Sequence, residues 1–467
     1  MKKQIFVRDK SFYKLLLTLA IPIMLKNLIG TSVGMADNVM VAALGDNAVN
    51  GATTANLITN FLFTILMNIS ASVMVLSTQY WGKGDTDSIR TIVGIGLRFS
   101  MGLGLIAFVM SFFFPVFTLR LFTNDENAIQ AGIGYLKIVS WTYLIYGVTD
   151  ILIASQTSVE NVKIGLVVSL TASLMNIVMN YCLIFGVSFG SFTLLPRLGV
   201  DGAAVATLIS RITELTIIGI YVFFIDKKLK LTLPSLLKSN RLLTKDFLKY
   251  GLPIMAGGLV WAVNVSVQGA IIGKLGIPEA ISASSVAGTV FNLITVVTFS
   301  VSGAASIIIG KAIGGGDFEK VKRYVITLEF IFLGFGLFTF AMLQLSQPLI
   351  PVIYKGLSPA ALDMSRQFIT VLSITGIGTS YQANSLSLLK AGGDTRFVFL
   401  NDTFWVFAVV LPSSYIAGYL LGAPAWLVFG LMKGDQIYKC AVAVIKVNRF
   451  KWIKNITRDQ ESLKAEG

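Results

Sequence analysis

Apolar stretches long enough to cross a bilayer, about 20 residues each, follow one another along the chain with short polar breaks between them. They fall near 15–44, 52–79, 91–115, 131–155, 164–186 and 203–225, and then near 250–273, 281–309, 324–348, 366–389, 397–420 and 426–445. These runs are too long and too uniformly apolar for barrel strands, which alternate over about ten residues. Inside hydrocarbon a spanning segment must satisfy its own backbone polar groups, so each run predicts a helix. The pattern predicts an all-α integral membrane protein of twelve transmembrane helices, six on either side of a polar stretch at 226–249.

The two sets of six repeat one another. LTLAIPIMLKNLIG (17–30) aligns with LKYGLPIMAGGLVW (248–261), which sets Pro22 on Pro253. YWGKGDTDSIR then aligns with AIGGGDFEKVK, Asp85 on Asp317, at nearly the same offset. An even number of spans per copy makes both copies enter the membrane in the same direction, a parallel repeat about an axis along the membrane normal. The expected organisation is an N-lobe at 1–225, a cytoplasmic linker at 226–249, a C-lobe at 250–448 and a basic tail at 449–467. The linker composition is also compatible with an interfacial helix.

One acid interrupts this symmetry. Asp37 lies near the end of the first span, and the repeat sets Gln268 opposite it. A carboxylate at bilayer depth costs several kcal/mol, roughly 2.5 or more, and is by default a functional group. Polar residues recur at helical spacing elsewhere: Asn27, Thr31, Gly34 and Asn38 in the first span, Asn56, Asn60, Thr64 and Asn68 in the second. The fifth carries Ser169, Ser173, Asn176 and Asn180, and the sixth Thr207, Arg211 and Glu214. Such faces avoid lipid and look at each other or at water. Asn56, Asn68 and Ser169 are read as interhelical hydrogen-bonding residues, and Arg211 with Glu214 as a self-neutralising pair. Lys26 either snorkels toward the cytoplasm or lines a cavity. Asp150, Glu329, Asp402 and Asp435 are read as solvated groups near cytoplasmic ends. Asp37 with Asn176, Asn180 and Thr207 is the set expected to carry function.

Composition agrees with a membrane protein: 54% of the 467 residues are hydrophobic and 13% charged, where soluble proteins carry about 25% charged. The net charge of +14 reflects topology, and no nucleic-acid partner is expected. Of 38 Lys and Arg, 27 fall in the termini and even-to-odd loops and 5 in the odd-to-even loops. The positive-inside rule then puts both termini in the cytoplasm. The basic start is followed by an apolar run too long for a signal peptide, so the N-terminus is expected to be retained. Cys182 and Cys440 read as small buried hydrophobes. With no histidine in the chain, proton chemistry would fall to carboxylates. There is no P-loop sequence, no His-Glu metal motif and no paired aspartates, so neither an enzyme nor a cofactor or metal is expected. An enzyme would require a catalytic cluster, and a channel would pass uncoupled current.

The ordered motifs resemble those of the multidrug and toxic compound extrusion (MATE) transporters over essentially the whole chain. The prolines open spans one and seven, and Asp37 follows Pro22 by fifteen residues. MNIVMNYCLIFG in span five is similar to the family's N-x-x-x-D segment, LGVDGAAVAT opens span six, and LKAGGDTR (389–396) follows span ten. The resemblance implies two lobes around a central cleft that opens alternately to either side, exporting bulky, often cationic and aromatic compounds against inward H⁺ or Na⁺. It makes Asp37 the coupling aspartate, Asn176 and Thr207 its neighbours, and Pro22 the bend of the first helix. Asn180 stands where many prokaryotic members have a second aspartate. Trp261 lies near the place where another branch carries a glutamate, so coupling through the C-lobe is not expected.

The resulting expectation is a plasma (inner) membrane multidrug antiporter working as a monomer in the lipid bilayer on small-molecule substrates. Its ion is taken up at Asp37 with Asn176, Asn180 and Thr207, and Pro22 is its hinge. Asn27, Thr31, Asn60, Trp261 and Gln268 are the cavity candidates. Trp141, Tyr143, Tyr146, Trp261 and Phe291 would suit a planar cation. The alternative is a lipid-linked oligosaccharide flippase of the same superfamily, which would need more mid-membrane cations than Arg211.

Overall fold

The structure, a computed structural model, describes residues 6–42, 46–189 and 192–464. Twelve long helices follow in order: α1 Lys10–Ala42, α2 Asp46–Lys83, α3 Thr86–Phe113, α4 Glu126–Ser158, α5 Val162–Phe185 and α6 Val200–Ile220. The second half holds α7 Arg241–Gly273, α8 Pro278–Gly314, α9 Phe318–Ser346, α10 Pro359–Ala391, α11 starting at Thr395 and α12 Ala425–Asn448. Ten helices of the described chain are both long and apolar enough to cross a membrane. The other two, α10 and α12, are long enough but more polar. The buried face of α10 includes Ser380, Gln382, Asn384 and Ser385, and α12 carries Lys433, Asp435 and Lys439. One small element has no counterpart in the hydropathy pattern: a hairpin of β1 Val187–Phe189 and β2 Phe192–Leu195 between α5 and α6.

The turns that join the helices carry the repeat into three dimensions. Gly84 (φ 80°) and Gly316 (φ 79°) occupy equivalent left-handed positions, where a side chain would strain the backbone. The next residue caps the following helix in each copy: Asp85 accepts from Ser88 N at 3.0 Å and Asp317 from Lys320 N at 3.0 Å. Gly82 and Gly314 let α2 and α8 approach closely. A Cβ on Gly82 would lie 1.9 Å from Lys311 O, and one on Gly314 1.8 Å from Gln79 O.

Contacts divide the chain into two units whose limits differ from the lobes read off the sequence. The N-unit takes Leu25–Ser77, Asp85–Gly251 and the chain from Arg458 onward; the C-unit takes the chain up to Met24, Thr78–Gly84 and Leu252–Thr457. The change of unit falls two residues after Pro22 in α1 and between Gly251 and Leu252 in α7, next to Pro253.

Within the N-unit, the linker folds back on α3. Arg98 donates to the carbonyls of Leu236, Leu237 and Lys238. The linker holds one short helix, Leu233–Leu237, with a capping box at Thr232. Helix α7 already starts at Arg241, because Asn240 caps Leu243 N, so the linker's last residues are helical. Within the C-unit, stacked Phe368 and Phe429 (centroids 4.2 Å) mark the apolar core shared by α7, α8, α10 and α12. The segment after α12 is anchored too. Trp452 is buried and donates to Val447 O, while Gln79 binds Ala391 O and Ile456 N. Arg458, in the N-unit, pairs with Asp246.

Candidate functional site

In the N-unit, Asn176 and Asn180 stand one helical turn apart on α5 and so share a face. Both are buried. Asn180 Nδ2 donates to Asp37 Oδ1 at 2.5 Å and to Asn176 Oδ1 at 3.2 Å. The other end of the same amide, Asn180 Oδ1, is buried with no hydrogen-bond partner among the described residues. A buried carbonyl oxygen left in that state costs about 1–3 kcal/mol, and this one lies beside a carboxylate. Thr207 does not join the hydrogen bonds at Asp37, since its hydroxyl donates back to Ala203 O at 3.0 Å.

Around this pair the N-unit carries a network of charges. Arg211 pairs with Glu214 at 2.6 Å and lies over the rings of Phe63 (5.3 Å) and Tyr146 (4.9 Å), which stack on each other. Asp150 accepts from Ser70 and has Lys26, Glu214 and Arg211 as charged neighbours. Arg211 also acts on Asp37. Asp150 is half-buried with a hydroxyl donor and charged neighbours on other helices, Lys26 among them, and so is not a simply solvated group. Two sequence signals point here. Lys26 and Asp37 are eleven residues apart, three helical turns, on one face of α1. Helix α4 carries Tyr135, Tyr143, Tyr146 and Asp150 at i+3, i+4 and i+8 spacings, a stripe easily taken for aromatic packing. Tyr135 donates to Asn56 Oδ1 at 3.1 Å, and Tyr143 shares a hydrogen bond with Thr59.

The remaining candidates are spread out. Thr31 donates to Asn27 O, both being half-buried, and Asn60 is exposed. The side chain of Asn38 lies outside the described residues. Pro22 sits inside an unbroken α1.

The equivalent place in the C-unit is built differently. Gln268 is buried with both ends of its amide engaged: Nε2 donates to Asn264 Oδ1 (3.0 Å) and Met432 O (3.2 Å), and Oε1 accepts from Lys433 Nζ at 2.8 Å. Trp261, on the same helix, is 60% exposed. Lys439 joins Asp435 (2.9 Å) and Asp402 (3.2 Å), and Lys390 has Asp402 as its charged neighbour. Glu329 accepts from Tyr381 OH at 2.5 Å and Asn448 Nδ2 at 3.0 Å. Asp435 and Glu329 are buried and Asp402 is ion-paired, which corrects their reading as solvated groups. Asp402 and Glu329 are held by partners on other helices, and one-dimensional spacing does not show such partners. Cys182 and Cys440 are free thiols.

Twelve helices in a parallel six-plus-six repeat, with charged networks inside the spans, define a multi-pass membrane transporter. The MatE family model matches residues 22–182 and 253–429, one stretch in each copy of the repeat and each starting at its proline. The chain belongs to this family of MATE transporters. It is 24% identical to "Uncharacterized transporter YisQ" of Bacillus subtilis, covering 90% of this chain and 91% of that one. It is also 24% identical to "Probable multidrug resistance protein NorM" of Streptococcus pneumoniae, covering 94% and 96%. Its fold is that of a solved MATE transporter in complex with MaL6, at a TM-score of 0.84 and 17% identity, over 94% of this chain and 97% of the other.

Proposed function

We propose that this protein is a secondary antiporter of the plasma (inner) membrane, with both termini cytoplasmic, that exports bulky cationic or aromatic compounds in exchange for H⁺ or Na⁺. Support comes from relatives named for multidrug resistance and from basic residues gathered on one side of the membrane. The reading needs no cofactor and no second copy of the chain. The observation that carries it is the Asp37–Asn180 contact with its orphaned amide oxygen.

A carboxylate can only accept hydrogen bonds, whereas a protonated carboxyl also donates one. Proton uptake by Asp37 removes the charge-assisted bond from Asn180 and supplies a donor for an amide oxygen, so the two protonation states favour different arrangements of α1 against α5. Pro22 removes one helical hydrogen bond close to where α1 passes from one unit to the other. It is therefore the place for α1 to bend as the transporter alternates between its two open states. Sodium would use the same atoms, because carboxylate and amide oxygens are hard-cation ligands.

Inverted vesicles under separately imposed pH and Na⁺ gradients test the proposal. Efflux substrate should accumulate under one gradient and fail to do so in Asp37→Asn. Coupling that survives the substitution would refute the assignment. The flippase alternative is less well supported, because Arg211 is already engaged by Glu214 and two aromatic rings.

A further inference from the structure

We propose that the linker between the two copies of the repeat is a lipid-binding element. Leu233 and Leu237 enter the leaflet on the linker's side, and Lys227, Lys230 and Lys238 take the headgroups of anionic phospholipids. The inference goes beyond the export reading and stands or falls without it.

Two arginines of α3 hold the linker in place. Arg90 Nε donates to Leu229 O at 2.6 Å, and Arg98 donates to the carbonyls of Leu236, Leu237 and Lys238. The two arginines are eight residues apart, about 12 Å along the helix. Before the linker helix, Asp226 shapes a turn by accepting from the backbone N–H groups of Lys228, Leu229 and Lys230. Both ends of the segment are therefore fixed, and its outer surface is a built one.

Its depth follows from α3. A Cβ on Gly94 would lie 2.1 Å from Leu236 O, so Leu236 is level with Gly94. Gly94 and Arg98 both lie inside the apolar run of α3, which starts near 91. The linker helix is thus level with the first turns of a spanning segment, at the membrane boundary. The carbonyls at its end also satisfy Arg98, a charge that is costly at this depth when left without partners.

The linker helix turns one face inward. Ser235 and Leu236 are buried, as are Leu229 and Leu231 before it. Leu233 and Leu237, one turn apart on a single face, are 67% and 78% exposed. At the membrane boundary, acyl chains are the medium that removes these two side chains from water. Lys227, Lys230 and Lys238 flank the helix, exposed and in no ion pair among the described residues. The acid beside the first two, Asp226, is already taken by the turn and by Gln156 Nε2. Free ammonium groups beside an apolar anchor attract an anionic leaflet, by about fivefold in affinity per lysine.

The test uses the full chain in detergent, with an environment-sensitive fluorophore on Leu237→Cys in a Cys182→Ser, Cys440→Ser background. Only lipid that reaches the linker is then read. Phosphatidylglycerol and phosphatidylcholine of the same acyl chains are titrated separately. Phosphatidylglycerol should bind about a hundredfold more tightly, about fivefold for each of the three lysines. Lys227→Gln, Lys230→Gln and Lys238→Gln together should erase that preference. Equal affinities with the lysines in place, or a preference that survives their removal, overturn the proposal. If the combined variant does not accumulate, salt decides: it should weaken binding of phosphatidylglycerol and leave phosphatidylcholine unchanged. A preference indifferent to salt counts against the lysines. In nanodiscs of the two lipids, bromine on the acyl chains should quench the fluorophore. Quenching by aqueous iodide instead would put Leu237 in water. Quenching by neither, with a dimer found by mass, would make this face a contact between two copies of the chain, and either result overturns the proposal.

Discussion

Asp37 stands five residues before the end of α1, and Gln268 stands five residues before the end of α7. The repeat makes these positions equivalent, yet the two units satisfy them in opposite ways. Asp37 accepts from a neutral amide on α5 that keeps one oxygen unpaired, whereas Gln268 has both ends of its amide engaged and accepts from an ammonium on α12. Under the proposed coupling, the first arrangement changes when a proton or cation arrives. The second already contains its cation, covalently attached as Lys433, and has nothing to gain from another. On the proposed reading, one fold supplies an exchangeable charge in one copy and, at Lys433, a fixed charge in the other. Duplicated architecture does not impose duplicated chemistry.

The largest expected effect breaks the N-unit side of this contrast. Asp37→Asn should lower gradient-driven efflux by at least about a hundredfold, a loss of about 3 kcal/mol in coupling, measured under separate pH and Na⁺ gradients. Moving the acid tests whether position alone suffices. Gln268→Asp added to Asp37→Asn should leave transport at that same background, because Lys433 would close a buried ion pair with the new carboxylate. Gradient-driven transport restored by the double variant would mean the two sites are interchangeable. A smaller shift is expected from Asn180→Leu, which keeps Asp37 but removes its donor and the orphaned oxygen. The ion concentration giving half-maximal transport should move by about tenfold, the scale of one hydrogen bond to a charged group. The smallest effect is assigned to Pro22→Ala, which restores one helical hydrogen bond. Turnover should slow by about threefold, read from initial rates at saturating substrate.

Much of this is legible in the order of residues along the chain. Twelve helices follow from apolar runs of spanning length, and the paired prolines and GKGD/GGGD turns reveal the repeat. The isolation of Asp37 follows from a single aligned pair, Asp37 on Gln268. The stripe on α5 also places Asn176 and Asn180 together. Thr207 is expected beside Asp37 from its stripe, but its hydroxyl donates to Ala203 O on its own helix, an option every Thr in a helix has. Asp150, Asp402, Asp435 and Glu329 look solvated when distance from a helix end is the only guide. Packing buries Asp435 and Glu329, pairs Asp402 with Lys439 and sets Asp150 beside Ser70, and the neighbours of Asp150, Asp402 and Glu329 sit on other helices.

The division has a physical cause. In hydrocarbon a helix must satisfy its backbone within its own segment, so length and apolarity along the chain decide that α1 to α12 exist. A repeat is likewise a property of order along the chain. Which side chains meet across helices depends on rotation, depth and neighbour choice, and these are settled only when all the helices pack. That packing set Ser70 against Asp150, set Lys433 on Gln268, and moved the boundary of the units into α1 and α7 beside their prolines.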